Sequence, residues 1–367
     1  MRLEDFAYYL PPDCIAQEPV EPRDASRLLV LHREDGRMEH RHFRDLPAYL
    51  RRGDVLVLND SRVLPARLYL RRADTGGRAE VLLLHSVGAP IRPTEDPARA
   101  VGDPVPPTGA ESAQEWKVLG RPARRLRPGV RLVSANGLLE VEVLQEEPEG
   151  VRRVVLRWPA ERSLPDLLEQ LGQLPLPPYI HRPLADRERY QTVYSRDPGS
   201  AAAPTAGLHF TPRLLRQLVE EGVELCYLTL HVGLGTFRPL REETVEEAHL
   251  HAEYYRVEPR VAASVAAARR RGGRVVAVGT TVVRGLESVG QADGTVQPGQ
   301  GWTDLFIYPG FRFQVVDALV TNFHLPRSSL LLLVSAFAGR ERITNAYQEA
   351  LREGYRFYSF GDAMLIL

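Results

Sequence analysis

The C-terminal half of this sequence holds five histidines, His209, His231, His249, His251 and His324. Imidazole is the side chain whose ordinary titration lies nearest neutral pH, so these are its candidate proton carriers. Their neighbours are small or polar: AAAPTAGLHFTP at 201–212, LHVGLGTFRP at 230–239, HLHAE at 249–253 and VTNFHLP at 320–326. A related stretch without histidine, RVVAVGTTVVRGLES, fills 274–288. Histidine beside glycine, threonine and asparagine suits acid–base or hydrogen-bonding work on a neutral organic substrate. Metal binding is the other reading, by His249 and His251 with Glu253 or by His209 with His231. There is no HExxH, and Cys14 and Cys226 are the only cysteines, so no metal is expected. The sequence also has no GxGxxG after a first strand, no GxxxxGK[ST] and no GxSxG. Dinucleotide-dependent, P-loop and serine-elbow chemistries are therefore unsupported.

These residues must be carried by strand ends. VELCYLTLHV (223–232) and RVVAV (274–278) read as strands, as does the apolar run before Thr321, and each runs into a Gly/Thr/His/Asn turn. Thr211-Pro212 followed by RLLRQLVEEG has an N-cap, a first-position proline and a terminating Gly222, so AAAPTAGLHF is read as the loop entering a helix. Ser328 or Ser329 caps the helix after His324. In open α/β sheets ligands bind beyond the carboxyl ends of the strands. Four such loops are expected to face one crevice.

Strand and helix signals alternate at both ends of the chain, with RLLVL (27–31) and GDVLVLND (53–60) as early strands. Between them short alternating runs predict a small antiparallel barrel. The expected fold is α/β, a mostly parallel sheet carrying an inserted β-barrel domain. The catalytic domain is read as 1–61 plus 159–367, and the barrel as 62–158 with a Pro/Gly-rich loop at 88–115.

The chain has 367 residues, 44% of them hydrophobic and 26% charged, with 47 basic and 47 acidic side chains. With no net charge, any nucleic-acid or membrane partner must be held by a local patch. Lys117 is the sole lysine, which leaves 46 arginines. Base composition, a hot habitat and phosphate recognition by guanidinium forks all produce that bias. Two cysteines fit a reducing cytoplasm, and the N-terminus lacks the pattern of a signal peptide. The longest apolar run, LLLLVSAFA at 330–338, is too short to span a bilayer and reads as a buried helix.

Several stretches resemble the S-adenosylmethionine:tRNA ribosyltransferase-isomerase family of queuosine biosynthesis. They are AAAPTAGLHFT, LHVGLGTFRP, HLHAEYY, VVAVGTTVVRGLES, FIYPGFRF, LVTNFHLPRSSLLLLVSAFAG and YRFYSFGDAMLI, with FAYYLPPDCIAQEP, RDASRLLVL and GDVLVLNDSRVLPARL near the start. The resemblance covers nearly the whole chain. It implies transfer and isomerisation of the ribosyl part of S-adenosylmethionine onto 7-aminomethyl-7-deazaguanine at the tRNA wobble position. The products would be epoxyqueuosine-tRNA, adenine and methionine. It also implies a monomer.

On that reading His209 or His231 is the base, and His324 acts on adenine or ribose. Glu253 holds a histidine or the substrate amine. Thr205, Thr280 and Thr281 bind the sugar or the methionine carboxylate, with Gly207, Gly233, Gly235, Thr236 and Gly279 lining the donor site. Arg284 and Arg238 pair that carboxylate or a tRNA phosphate, and Asn322 reads a base edge. The rival readings are a non-catalytic RNA-binding module and a histidine-based metal-dependent hydrolase.

Overall fold

A computed structural model of the chain describes residues 1–87, 110–233, 240 and 242–367. They form two compact units: Met1–Asp60, Pro177–Ser195 and Ala203–Leu367 in the first, Ser61–Leu176 and Arg196–Ala202 in the second. In chain order the strands of the opening segment are β1 (Arg27–Leu31), β2 (Met38–His42) and β3 (Val55–Asn59). The second unit supplies β4 (Ser61–Val63), β5 (Arg67–Arg72), β6 (Arg78–Ser86), β7 (Glu111–Arg121), β8 (Arg131–Val133), β9 (Glu140–Glu146) and β10 (Val151–Pro159). Helix α1 (Leu164–Leu171), β11 (Gly172–Gln173) and β12 (Asp197–Ser200) complete it. Back in the first unit come α2 (Pro212–Glu220), β13 (Glu224–Leu230), β14 (Glu253–Val257), α3 (Pro259–Arg270), β15 (Val275–Val278) and α4 (Thr280–Val289). The chain ends with β16 (Gly299–Thr303), β17 (Ala318–Asn322), α5 (Ser329–Ala338), α6 (Arg340–Arg352) and β18 (Ala363–Ile366).

The first unit is built on a nine-stranded sheet of order β16-β14-β13-β3-β15-β17-β18-β1-β2. Its centre, β13-β3-β15-β17, is parallel, with Cys226 opposite Val57, Ala277 opposite Val57 and Val278 opposite Val320. β3, β15 and β17 are buried along their whole length, which suits strands covered on both faces. Antiparallel strands widen the sheet on both sides, β14 beside β13 and β18 beside β17. One face packs Leu56, Leu58, Val276, Val278 and Val320 against Leu214 and Leu218 of α2, with Phe43 and Phe210.

Local sequence sets the helix ends. The Thr211 hydroxyl accepts from the Leu214 amide at 3.1 Å, and Gly222 ends the turn at φ 89°. The Ser328 hydroxyl accepts from the Leu331 amide at 3.2 Å and starts the buried helix α5. No described helix is long and apolar enough to cross a membrane.

The second unit is a closed antiparallel barrel. Its ring runs β5-β6-β7-β10-β9-β8 and closes where Arg71 of β5 pairs with Val133 of β8. Inward-facing Leu68, Val81, Trp116, Val118, Val141, Val154 and Leu156 fill it. Residues 88–109 of the expected loop at 88–115 lie outside the described residues. Glu111 onward is already strand, because β10 continues to Pro159 opposite Glu111 and supplies the pairing.

Candidate active site

Parallel strands end on the same side of a sheet, so β13, β3, β15 and β17 bring Leu230, Asn59, Val278 and Asn322 to one edge. Contacts link the residues just beyond. The Asn59 amide donates to the Leu230 carbonyl at 2.9 Å and the Thr281 hydroxyl at 3.3 Å, and its oxygen accepts from the Leu230 amide at 3.0 Å. Asn59 thereby ties the end of β13 to the first turn of α4. The Gly279 amide donates to the Val320 carbonyl at 2.7 Å, joining β15 to β17. Gly279 adopts φ 92°, ψ 151°, a conformation that only glycine enters readily, and no side chain caps the helix N-terminus it precedes.

AAAPTAGLHF is more ordered than a loop. Thr205–His209 forms a buried turn of 3-10 helix, with only Thr205 half-exposed. A Cβ at Gly207 would stand 2.1 Å from the Tyr194 hydroxyl, and one at Gly279 would stand 3.7 Å from the Ala206 Cβ. The small residues at 206–207 thus admit neighbouring chain.

His209 follows that turn, 4% exposed and stacked on Phe43 at 4.9 Å. The Asn322 amide nitrogen faces its Nε2 at 3.1 Å and the carbonyls of Tyr358 and Asp362 at 3.2 and 3.4 Å. Those carbonyls fix the amide as donor, so Nε2 of His209 accepts and Nδ1 carries the proton toward Ser26 Oγ at 2.7 Å. Ser26 passes its own hydrogen to the Arg23 carbonyl at 3.2 Å. Both imidazole nitrogens of His209 are therefore engaged within the protein. His324 sits beyond the end of β17, with Nε2 2.8 Å from the Thr321 hydroxyl. Its backbone is held by the hydroxyls of Tyr8 and Tyr347. His231, just past β13, stacks on Tyr254 at 5.6 Å.

Burial lowers all three imidazoles: His209 to about 3, with Arg356, Arg23 and Arg189 adding to the effect, His324 to about 3, and His231 to about 4 with a contribution from Arg256. All three are neutral at pH 7. The unfolded chain titrates near 6.5 and binds these protons first as pH falls, so the stability they confer is complete above 6.5 and drains toward 3–4. We expect the unfolding free energy, read from urea titrations, to drop from pH 7 to pH 5 by up to about 1.4 kcal/mol per pH unit for each histidine, and the urea midpoint to fall with it. A midpoint flat across that range would contradict the burial of the three rings.

The other wing of the edge is ionic. Arg284, one turn into α4, pairs with Glu253 at the start of β14, each side chain 5% exposed. The Arg284 guanidinium also donates to the carbonyls of Leu305 at 2.9 Å and Thr303 at 3.2 Å. Glu253 accepts from the Gly233 amide at 2.7 Å. These contacts engage the Arg284 guanidinium with groups of the protein itself. Thr280 and Thr281 are buried at the same strand end. Gly235, Thr236 and Arg238 lie outside the described residues. His249 and His251 are exposed, and no three His, Cys, Asp or Glu among the described residues cluster to hold a metal. An open recess of about 810 Å³, lined by Arg2, Glu4, Glu242, Thr244 and Arg327 among others, includes none of the candidate residues.

Sequence reasoning missed several contributors. Asn59 ends β3, and Asp60, the next residue, accepts from the Thr229 hydroxyl at 2.7 Å. An Asn-Asp pair closing a wholly apolar strand was the available signal. Tyr358 has φ 74°, strained for a non-glycine, and its buried hydroxyl has no partner among the described residues. The Asn322 carbonyl oxygen is likewise buried without a partner among them. An unmet buried acceptor costs about 1–3 kcal/mol, and a donor on a ligand removes that cost.

Comparison with known proteins is consistent with a full-length relationship. The family described as queuosine biosynthesis protein matches residues 3–366. The chain is 58% identical over 367 residues to an S-adenosylmethionine:tRNA ribosyltransferase-isomerase of Moorella thermoacetica and 55% identical over 367 residues to one of Symbiobacterium thermophilum, covering 100% of each chain in both cases. A crystal structure of S-adenosylmethionine tRNA ribosyltransferase from Thermotoga maritima is similar at 40% identity and TM-score 0.55, over 99% of this chain and 100% of that one.

Proposed function

This chain belongs to the queuosine biosynthesis protein family, and from that premise we propose that the carboxyl edge of β13-β3-β15-β17 is where it transfers and isomerises a ribosyl group from S-adenosylmethionine onto tRNA. The acceptor is 7-aminomethyl-7-deazaguanine at the wobble position, and adenine and methionine leave. The observation that carries the reading is the contact chain along this edge, which ends at an unmet acceptor on Asn322.

The donor's chemistry fits this surface. Its methionine carboxylate suits the uncapped N-terminus of α4, beside Thr280 and Thr281. Its adenine or ribose has donors for the Asn322 oxygen, and the stacked rings of His231 and Tyr254 offer an aromatic face. The sulfonium supplies the acidity: it weakens the C–H bonds of the carbon between sulfur and ribose, and one of those protons must be removed. Burial keeps His231 unprotonated, the state from which an acceptor starts. We assign it that proton, because the Asn322 and Ser26 contacts make His209 a positioning residue for the amide of Asn322. His324 serves adenine or ribose. Glu253 and Arg284 fix the Gly233 backbone and the 303–305 segment around the site. Thr205, Gly207, Gly235, Thr236 and Arg238 complete the proposed donor and carboxylate contacts.

The α/β part, 1–61 plus 159–367, is assigned the chemistry and the barrel, 62–158, a role in holding RNA. A cytoplasmic monomer without a bound metal fits the reading. Incubation with S-adenosylmethionine and tRNA bearing the aminomethyl base tests it. Adenine is expected to appear in step with modified tRNA. Tight tRNA binding with no adenine released would instead favour the RNA-binding module.

A further inference from the structure

One end of the barrel concentrates arginine. β5 leaves the ring at Arg72, β6 enters at Arg78, β7 leaves at Arg121 and β8 enters at Arg131, and the register places Arg71 opposite Arg78 and Arg121 opposite Glu80. The connecting segments 71–78 and 121–131 hold three and five arginines against a single acid, Asp74, so eight positive charges less one leave a net of +7. Asp74 is paired with Arg72 at 2.6 Å. Arg71, Arg78, Arg121, Arg124, Arg125 and Arg127 are exposed and make no ion pair among the described residues. On the other side of the same end, the β9–β10 turn carries Glu146, Glu147 and Glu149. Two of these acids already face cations, Glu146 with Arg152 at 3.5 Å and Glu147 with Lys117 at 2.9 Å. They bound the basic patch without neutralising it.

The arginine-bearing turn is anchored. Leu126 is 1% exposed and plugs the barrel core above Gly120, where a Cβ would stand 2.1 Å from its Cδ1. Arg152 is buried and donates to the carbonyls of Leu126 at 2.9 Å and Ala123 at 3.2 Å. Arg72 donates to the Arg125 carbonyl at 3.3 Å. The backbone between Arg121 and Arg127 is thereby fixed while their side chains project into solvent. Clustered like charges repel one another, and a polyanion relieves that repulsion. Guanidinium forks match phosphate oxygens bidentately, and a fixed backbone lowers the ordering cost of binding.

We propose that this end of the barrel is a phosphate-backbone contact surface for the substrate tRNA. The inference rests on the reading that the substrate is a tRNA. Its occupant is argued from charge complementarity: the chain as a whole has no net charge, and this patch supplies the local field that a polyanion needs.

The test uses the full chain with Arg124→Glu, Arg125→Glu and Arg127→Glu combined, and a second triple variant with alanine at the same positions. Direct binding of tRNA is measured across a salt series. The glutamate variant is expected to bind at least tenfold more weakly, and the alanine variant to lose about one unit of log–log salt slope per arginine engaged on phosphate. KM for tRNA rises in parallel, while kcat and KM for S-adenosylmethionine hold. Folded variants with wild-type tRNA affinity and salt slope would overturn the proposal. So would loss of binding to phosphatidylserine vesicles with tRNA affinity intact, which would assign the patch to a membrane surface. Because binding is read without turnover, a wild type that engages tRNA through the patch yet releases no adenine would sink the catalytic reading alone.

Discussion

Replacing Arg284 with alanine is expected to lower the unfolding free energy by about 3–5 kcal/mol and to abolish turnover. The loss follows from what stays behind. Glu253 remains buried beside the Gly233 amide without its cation, and the carbonyls of Thr303 and Leu305 lose their donor. A buried carboxylate without a partner is among the costliest single lesions a fold can carry. The double variant Arg284→Met/Glu253→Gln removes both charges and is expected to recover much of the stability lost by the single change, though not the activity. Guanidinium unfolding of the wild type, both single variants and the double variant measures the coupling. An Arg284→Ala protein within about 1 kcal/mol of wild type would show that the pair has no structural role at this edge.

His231→Ala is expected to reduce kcat by about 10²–10⁴-fold with the fold intact, the range typical of losing one general base. His231 lies past the last residue of β13, buried and stacked on Tyr254. His231 is neutral, so its removal leaves no buried charge unpaired and costs less stability than removal of Arg284. His209→Ala separates the two histidine roles. It strips a stacking partner from Phe43 and leaves Ser26 and Asn322 facing a void, so its damage falls on melting temperature and on KM for the donor. Steady-state kinetics beside thermal melts distinguish them. Near-normal kcat in His231→Ala would remove it as the proton acceptor.

The strand ends were legible because each joins an apolar β-branched run to glycine, threonine or histidine, a local signal. Within RVVAV and VELCYLTLHV, Val275–Val278 and Glu224–Leu230 are strands that end at one edge of the sheet. Long-range pairing was not legible. Thr321 and Asn322 read as loop but are the last residues of β17, because Asn322 pairs with Ala363 of β18. The Glu253–Arg284 pair spans 31 positions and two elements, so each residue alone looked like a substrate contact. The small residues of AAAPTAGLHF suggested room for a ligand. The Tyr194 hydroxyl beside Gly207 explains at least one of them by packing alone. Asn59 carries no distinctive signal, because Asn-Asp is also an ordinary turn pair, and its hydrogen bonds to Leu230 and Thr281 arise only once β3 sits between β13 and β15.

The edge itself is tested most directly by a crystal structure of the full chain with S-adenosylmethionine bound. The account predicts donor density along the ends of β13, β3, β15 and β17, its carboxylate at the Thr280–Thr281 amides and a donor group within hydrogen-bonding distance of the Asn322 oxygen. Density for the donor elsewhere, with Asn322 and the start of α4 untouched, would contradict it.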